Sequence, residues 1–487
     1  MAVGLLQAVG LFLLAFLISR LVLAPLAHLP GPKISALTRL PLMYHEFTGK
    51  RRLWIHGLHQ RYGPVVRVAP NEVSFATREA AKEIYTSGGS GYDKSAFYSL
   101  FENYDTPNMF STLERGRNAH ISLGLQHADT KKRFAERYNK LNVMRPEVTS
   151  VIQEHADAFV AKCAESLGRS VDVYVLLHCY ALDGITGHLF HPHGLHSLTD
   201  PHDLEMMKEL SYSNGLRKQY FRYYFPRLAR LLSKISSISK RRTDGLVTRY
   251  VLDTAQNATV APHTVLHKLR TYEPEGSDYK AAASECMDHL AAGIDTTGDG
   301  LCFLMYQLSL PASHHVQDLL HAELVANPST PLDDLPYLDA VVKEGLRVFS
   351  PIPMSFPRVV PEGGKAVDGV WLPGGTIVSC QPHTLHRLDT DVFPFPEECR
   401  PERWLDPQGA AERNQLFFAF AAGGRGCIGK NLALLEMKLL LKEVYSTYRT
   451  RVAPDMDASM EMDDQTISTR PRGQKCLLVF EKYDDHP

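Results

Sequence analysis

The sequence predicts a mainly α fold with a small β-region, in a chain of 487 residues. Apolar residues recur at helical spacing over two long stretches, from Tyr279 to Leu308 and from Asn431 to Tyr445. This period is typical of helices that bury one face. Residues 65–75 instead alternate on either side of Pro70-Asn71, which indicates two short strands joined by a turn. We therefore expect a single, mostly helical domain with few strands.

Composition and charge describe an ordinary globular protein with a sizeable core. Hydrophobic residues make up 44% of the chain and charged residues 22%, so ample apolar surface is available for burial. The net charge of -1 and the absence of a basic run argue against a nucleic-acid partner. The eight cysteines are scattered and form no C-x-x-C pair. This spacing indicates a reducing compartment and neither a zinc site nor a dithiol centre.

The first residues predict a membrane anchor followed by a stiff hinge. The run Val3–Ser19 is uncharged and mostly apolar, and the basic residues begin only at Arg20. A cleaved signal peptide is the alternative, but it would carry positive charge before its apolar core. By the positive-inside rule, basic residues after the run leave the rest of the chain in the cytosol. We expect residues 1–26 to anchor the protein, residues 27–42 to form a proline-rich hinge, and residues 43–487 to fold.

Residues 420–429 read Phe-Ala-Ala-Gly-Gly-Arg-Gly-Cys-Ile-Gly, a stretch suited to hold a cysteine thiolate against a flat cofactor. Its glycines allow a tight turn and a close approach to a bulky group. The guanidinium of Arg425 suits a carboxylate such as a porphyrin propionate. Cys427 precedes a predicted helix, whose dipole and free amides favour a thiolate. The alternative is a buried cysteine in a glycine-rich loop.

A second motif, Ala-Ala-Gly-Ile-Asp-Thr-Thr over residues 291–297, lies inside the long helix predicted from Tyr279. Gly293 weakens the helix there, and the hydroxyl of Thr296 can compete for the carbonyl of Ala292 one turn earlier. Together they can open a small groove in a buried helix. Asp295 beside a hydroxyl provides the pair of groups that proton delivery requires.

These motifs resemble those of the cytochromes P-450. The heme-binding pattern Phe-x-x-Gly-x-Arg-x-Cys-x-Gly is met at every fixed position from Phe420 to Gly429. The helix motif precedes it in the family's order, and residues 43–487 follow the family pattern. The resemblance implies the cytochrome P-450 fold with heme b bound through the thiolate of Cys427. The sequences around Tyr62–Asn71 and Pro357–Pro361 are similar to fungal microsomal members such as benzoate hydroxylases and pisatin demethylases.

The resemblance also implies roles for residues around the heme. Many relatives have Trp and Arg where this chain has His127 and Lys131, and a solvated basic helix face is the alternative for these two. Glu344 and Arg347, one helical turn apart, would join Arg403 in a structural ion-pair network behind the heme. Expected heme contacts are Phe420, Gly423, Arg425, Gly429, Arg358, His127, Lys131 and Ala292. Expected substrate-pocket residues are Ile352, Met354, Phe356, Ala291 and Ile467.

The reaction that the resemblance implies is monooxygenation of a hydrophobic small molecule, such as a polyketide, terpenoid or alkaloid of secondary metabolism. Asp295 and Thr296 would relay protons to oxygen bound opposite Cys427. Electrons would come from NADPH through a separate cytochrome P-450 reductase, with a b-type cytochrome as an optional partner. The location implied is the endoplasmic reticulum membrane, with one spanning helix and a cytosolic catalytic domain.

Two other functions stay open at this point. Some heme-thiolate enzymes rearrange or dehydrate an oxygenated substrate, but such members often lose the Asp-Thr pair that this chain keeps as Asp295 and Thr296. A membrane-tethered heme sensor or carrier would need neither residue. Product analysis separates all three functions.

Overall fold

The computed structural model describes residues 2–86, 91–113, 127–212, 215–237, 245–272 and 279–483. Residues 88–124 lack clean periodicity in the sequence and by the family resemblance are expected to form a substrate-facing loop. Part of this stretch lies outside the described ranges. Helices make up most of the described chain and strands are short. The predicted mainly α fold with a small β-region is therefore confirmed.

The α-helices range in length from one turn to 29 residues. In chain order they are α1 Ala2–Ile18, α2 Lys33–Leu37, α3 Leu40–Phe47, α4 Arg51–Tyr62, α5 Arg78–Ala81, α6 His127–Phe134, α7 Lys140–Val143, α8 Pro146–Ala164, α9 Val173–Phe190, α10 Pro201–Ser211, α11 Leu216–Tyr224, α12 Pro226–Ser237, α13 Leu246–Asn257, α14 Val265–Tyr272, α15 Lys280–Leu308, α16 His314–Ala326, α17 Pro336–Val348, α18 Pro382–Leu385, α19 Ala410–Leu416 and α20 Lys430–Tyr445.

The strands form four small sheets. In chain order they are β1 Val65–Ala69, β2 Glu72–Phe75, β3 Asp93–Lys94, β4 Ser170–Asp172, β5 Arg358–Val359, β6 Lys365–Val367, β7 Val370–Leu372, β8 Ile377–Cys380, β9 Tyr448–Val452, β10 Met462–Asp464, β11 Thr469–Pro471 and β12 Leu477–Lys482. The largest sheet has the order β1-β2-β8-β5-β3, and the others are β4-β12-β9, β6-β7 and β10-β11.

The elements predicted from periodicity are present with nearly the expected bounds. β1 and β2 pair antiparallel around the turn at residues 70–71, as the alternation predicted. The long helix α15 and the helix α20 begin within a residue of the expected positions. The segment that begins at His127 is an α-helix to Phe134 and continues as a 3₁₀ turn, Ala135–Tyr138.

The chain forms two compact units. The first comprises Met1–Phe97, Pro353–Pro396 and Gln415–Gly426. It contains the five-stranded sheet and the hairpin β6-β7. Side chains of β1 pack with α4 into a small apolar core that includes Val66, Val68, Ile55 and Leu58. The first unit is therefore organised by its sheet.

The second unit comprises Tyr98–Ile352, Glu397–Asn414 and Cys427–Pro487. Its centre is the pair of helices α9 and α15, which pack against each other along their length. α9 is buried around most of its circumference, as expected for a helix with apolar residues on every face. A Cβ at Gly293 of α15 would lie 2.8 Å from the side chain of Ile185 on α9. The two helices therefore approach closely because α15 has glycine at this contact.

The N-terminal residues form α1, which runs from Ala2 to Ile18, and continue as a π-helical turn, Ser19–Leu23. Across the described part of the chain, none of the helices combines the length and the apolarity that crossing a bilayer requires. The predicted spanning anchor is therefore not confirmed. The boundaries expected for the anchor, the hinge and the folded domain stay predictions.

Candidate active site

Residues 420–426 of the glycine-rich loop lie in the first unit, and the chain turns sharply at Gly423. Gly423 has a φ of 69°, a conformation that favours glycine. A Cβ at this position would overlap the carbonyl oxygen of Tyr85. The following 3₁₀ turn is closed by the amide of Gly426, which donates to the Gly423 carbonyl over 3.0 Å. Gly423 is therefore required by backbone conformation and by space.

Two arginines expected to meet heme propionates also lie in the first unit. The side chain of Arg425 is 9% exposed, and its guanidinium lies 3.4 Å from a carboxylate oxygen of Asp93. Arg358 is buried on β5, with its guanidinium 5.3 Å from the centre of the Tyr85 ring. Both arginines are held by neighbouring side chains within their own unit.

Cys427 is the first residue of the last segment of the second unit and precedes α20. Among the described residues it is the one cysteine whose side chain is exposed. Burial nevertheless raises its pKa, and the backbone amides of Gly429 and Lys430 and the charge of Lys131 oppose this rise. Cys427 therefore combines an accessible surface with a thiol that its protein surroundings make harder to ionise. The amides act as the sequence predicted, but burial outweighs them.

This environment fits a thiol that binds a metal ion. A bound cation deprotonates a coordinating thiol outright, whatever pKa the protein alone gives it. The accessible surface of Cys427 leaves room for such a ligand bond. The donor type suits heme iron, since cysteine thiolate is an established axial ligand of heme.

Helix α6 contributes two of the expected heme contacts to the second unit. His127 is buried at the start of the helix. Burial lowers the pKa of Lys131, and the field of the Cys427 thiolate raises it. Lys131 therefore lies within electrostatic reach of Cys427, which favours the predicted location of α6 beside the heme.

The middle of α15 is open on one side. Ala291 and Ala292 are exposed, whereas Leu290 and Ile294 on the same helix are buried. The hydroxyl of Thr296 donates to the Ala292 carbonyl over 2.7 Å, so the predicted hydrogen bond is confirmed. Small side chains and a diverted carbonyl leave an accessible patch on a helix that is otherwise buried.

Asp295 lies beside this patch and is half-buried. Burial raises its pKa to about 7, with a further rise from Asp299 and opposing effects of His178 and Arg470. A carboxyl with a pKa near neutrality exists in both protonation states at neutral pH, which suits a group that delivers and regains protons.

The sequence did not reveal two residues of this environment, His178 on α9 and Asp299 on α15. The Nε2 atom of His178 lies 3.3 Å from Oδ1 of Asp299. Asp299 follows Asp295 by four positions, which places both on one face of a helix. That spacing is visible in the sequence, but nothing in it indicates the distant His178.

Thr297 points away from Thr296, into the core. Its hydroxyl donates to Oε2 of Glu436 on α20 over 3.3 Å, and both residues are buried. Burial raises the pKa of Glu436 to about 8. Thr297 is therefore part of the contact between α15 and α20.

The predicted network of Glu344, Arg347 and Arg403 is confirmed. Both oxygens of Glu344 accept from Arg347, over 2.8 and 2.9 Å, and Oε1 also accepts from Nε of Arg403 over 2.9 Å. The indole of Trp404 and the amide of Arg400 complete the set, over 2.8 and 2.9 Å. Burial raises the pKa of Glu344, but these cations and hydrogen bonds outweigh it and leave the pKa lowered.

The expected substrate-pocket residues are divided between the units. Met354 and Phe356 are buried in the first, where the Phe356 ring packs against Tyr85. Ile352, Ala291 and Ile467 lie in the second. Ile467 is half-buried in the turn between β10 and β11, which pair as an antiparallel hairpin. Their contact with a substrate stays a prediction.

The chain matches the family model described as Cytochrome P450 over residues 30–478. It is 27% identical to a cytochrome P450 monooxygenase of Aspergillus hancockii, an alignment that covers 93% of this chain and 90% of the relative. It is 30% identical to a cytochrome P450 monooxygenase of Stereocaulon alpinum, covering 91% and 88% of the two chains. An averantin hydroxylase of Dothistroma septosporum is 28% identical, with coverage of 90% and 83%.

Proposed function

The chain belongs to the cytochrome P450 family, and we propose that it oxygenates a hydrophobic small molecule in a fungal secondary-metabolite pathway. The relatives named above are fungal monooxygenases, and one is a hydroxylase of a named metabolite, averantin. The proposed substrate class is a polyketide, terpenoid or alkaloid of medium size.

The observation that supports oxygenation best is the open patch on α15. Asp295, Thr296 and the exposed Ala291 and Ala292 combine an acid, a hydroxyl and free space on one stretch of helix. Heme-thiolate enzymes that only rearrange a substrate have no need for protons at this place.

The residues that would hold the cofactor follow from the motif. Cys427 would bind the heme iron, and Arg358, Arg425, His127 and Lys131 would neutralise the propionates. Bound heme supplies the binding and reductive cleavage of O₂, with NADPH electrons that arrive through a separate reductase. By the family resemblance, Phe420, Gly423, Gly429 and Ala292 would shape the surface that contacts the heme.

The protein's own part in the reaction is to supply protons. With its pKa raised to about 7, Asp295 is partly protonated at neutral pH and regains a proton readily after losing one. Thr296 holds its hydroxyl beside Asp295 by donating to the Ala292 carbonyl. When that hydrogen bond opens, the hydroxyl can donate toward the open patch, and Asp295 restores the proton.

We also propose that α1 associates with the endoplasmic reticulum membrane and leaves the folded units in the cytosol. Leu5, Leu11 and Phe12 are about 70% exposed on α1, and apolar side chains exposed on a helix gain free energy by entering a bilayer. Deleting residues 1–27 should move the protein from the floating to the soluble fraction in a membrane flotation assay. Unchanged flotation would contradict this role of α1.

Product analysis tests the proposed activity. Microsomes that contain the chain and a fungal reductase are incubated with NADPH and candidate pathway intermediates, and products are identified by mass spectrometry under ¹⁸O₂. We expect one substrate to gain a single labelled oxygen atom, and the Cys427→Ser variant to form none of this product. Conversion without a labelled oxygen would instead support rearrangement or dehydration.

A further inference from the structure

His178 and Asp299 form a buried pair at the contact between α9 and α15. His178 is fully buried, and Asp299 is 3% exposed. A Cβ at Gly298 would lie 3.0 Å from the imidazole carbon atoms of His178. The ring therefore lies directly against the backbone of α15, one residue before Asp299. Glycine is a poor helix former, and here it makes room for the ring.

The hydrogen bonds of His178 determine where its protons must be. Its Nδ1 lies 2.7 Å from the carbonyl oxygen of Tyr174. A carbonyl only accepts, so Nδ1 carries a hydrogen. In neutral histidine the other nitrogen, Nε2, is then a bare acceptor, and it faces Oδ1 of Asp299 at 3.3 Å.

Without a proton between them, Nε2 of His178 and a carboxylate oxygen of Asp299 would be two buried acceptors that repel each other. A proton must therefore lie on one side, as a histidinium beside a carboxylate or a neutral histidine beside a carboxylic acid. Within the described chain, neither Nε2 of His178 nor Oδ1 of Asp299 has a hydrogen-bond partner, and the 3.3 Å between them is an ion-pair distance. Both states carry the same net charge, so one buried proton belongs to the pair.

Asp295 is the third member of this cluster. His178, Asp295 and Asp299 each offer one atom, and the three atoms lie within 4.8 Å of one another. Asp295 is half-buried beside the open patch, whereas the other two are buried behind it. The charge on the pair is therefore felt by Asp295, which itself borders the accessible face of α15.

We propose that His178 and Asp299 share one buried proton and, as positioning residues, set the pH range in which Asp295 delivers protons. This inference rests on the proposed monooxygenase function. The other charged or titratable groups that act on the cluster are Tyr174, Arg470 and Cys302.

The pKa directions agree with this geometry. Burial lowers the pKa of His178, but Asp299, Asp295 and the carbonyl of Tyr174 together outweigh burial and leave it above the ordinary value. Burial raises the pKa of Asp299, and His178 and Arg470 oppose the rise. For Asp295, the rise caused by Asp299 exceeds the fall caused by His178. Removing Asp299 should therefore make Asp295 more acidic, and removing His178 should make it less acidic.

Infrared titration of the purified holoenzyme measures the pKa of Asp295 directly and does not depend on product formation. The protonated-carboxyl band that disappears in Asp295→Asn identifies Asp295, and its pH midpoint is then followed in two variants. Asp299→Asn keeps the size of the side chain, and its amide can donate to Nε2 of His178. We expect its midpoint to move about one pH unit to the acid side. We expect His178→Phe to move it about one unit to the alkaline side, since a charge within 4–6 Å shifts a pKa by about 1–3 units.

Turnover gives a second readout. The holoenzyme is supplied with reductase, NADPH and O₂ without added substrate, and the peroxide released per NADPH is measured against pH. Peroxide release should rise where Asp295 loses its proton, so the pH of this rise should follow the infrared midpoint in both variants. The double variant His178→Phe/Asp299→Asn should show the same pH midpoint as Asp299→Asn, because the single variant Asp299→Asn has already lost the shared proton.

The outcomes separate this inference from the proposed function. Loss of the reduced carbon monoxide band or of oxygenated product in the unaltered chain would contradict the function. Midpoints that stay unchanged, or shift in the same direction in both variants, would overturn the shared proton alone. One equivalent of a divalent ion, bound by the unaltered chain and absent from Asp299→Asn, would also overturn it and make the cluster a metal site.

Discussion

The hydroxyl of Thr296 donates to the carbonyl oxygen of Ala292, 2.7 Å away and one turn earlier on α15. Within a helix such a bond competes with the backbone ladder for the same carbonyl. Gly293, which lies between the two residues, is a poor helix former. The hydrogen bond therefore holds the hydroxyl of Thr296 next in sequence to Asp295, in a part of the helix where backbone hydrogen bonds break easily.

Replacing Thr296 with alanine should uncouple NADPH use from product formation. A well-placed proton-transfer group contributes about 10²–10⁴-fold, so product per NADPH should fall strongly while peroxide rises. Heme content and NADPH consumption should persist. Thr296→Ser, which keeps the hydroxyl, is the matched control and should stay largely coupled. Thr297→Ala is unsuitable as a control because Thr297 bonds the buried Glu436. Unchanged coupling in Thr296→Ala would remove Thr296 from the reaction.

Cys427→Ser should abolish the red-shifted Soret band of the reduced carbon monoxide complex, because that band requires a thiolate on the iron. Cys399→Ser is the control, since Cys399 is half-buried among the charges of Glu344, Arg347 and Arg403. The measurement is the carbon monoxide difference spectrum of both variants. A normal band in Cys427→Ser would mean that another residue binds the iron.

Gly423→Ala should greatly reduce heme incorporation, whereas Gly424→Ala should be tolerated. A Cβ at Gly423 would overlap the Tyr85 carbonyl, and its backbone has a positive φ. A Cβ at Gly424 would meet no atom within 4 Å. Heme content per protein, measured by the pyridine hemochrome, compares these neighbours. Equal heme content in both would show that the loop adjusts.

Glu344→Gln should destabilise the second unit by about 3–5 kcal/mol, the cost of leaving buried cations without their partner. Arg347 and Arg403 both depend on Glu344 for their charge balance. Glu398→Gln alters an ion pair whose side chains are about half exposed, so it should change stability by less than about 1 kcal/mol. Chemical unfolding of the two variants, compared with the unaltered chain, measures both effects.

Stability should fall as pH rises from about 6.5 to 8. Burial raises the pKa of Asp183 to about 7 and that of Glu436 to about 8. The folded state therefore binds more protons than the unfolded state until each group ionises, so unfolding becomes easier with pH. Buried histidines such as His59, with its pKa lowered to about 4, act oppositely but only below about 6.5.

The change in the free energy of unfolding per pH unit has an expected size. One group contributes about 1.4 kcal/mol per pH unit between its unfolded and folded pKa. Glu436→Gln removes one such contribution, so its melting temperature should depend less on pH above 7 than that of the unaltered chain. A variant with the original slope would mean that Glu436 is ionised in the folded protein at neutral pH.

Local signals in the sequence were sufficient for much of the fold and the site. The apolar period gave α15 and α20, and the i, i+3 spacing placed Glu344 and Arg347 on one face. The Thr296–Ala292 bond also follows from spacing within a helix. These features depend on residues that are neighbours along the chain, so their geometry is nearly the same in any helix.

Contacts between distant segments were not accessible in this way. His178 meets Asp299 only because α9 and α15 pack together at Gly298, and no local pattern encodes that register. The raised pKa of Cys427 is a second example, because helix amides can be inferred from sequence whereas burial of the thiol requires the fold. Burial raises the pKa of the thiol and the amides lower it, and only the three-dimensional surroundings determine which effect is larger.

The glycine contacts of α15 have a consequence for engineering. Enlarging Gly293 or Gly298 would force α9 and α15 apart, and such variants would be lost from a mutant library through misfolding. Ala291 is exposed on the same helix, so larger side chains there should not disturb that contact. A library confined to Ala291, a proposed substrate-pocket residue, should therefore redirect which carbon atom is oxidised while retaining a high proportion of folded, pigmented clones.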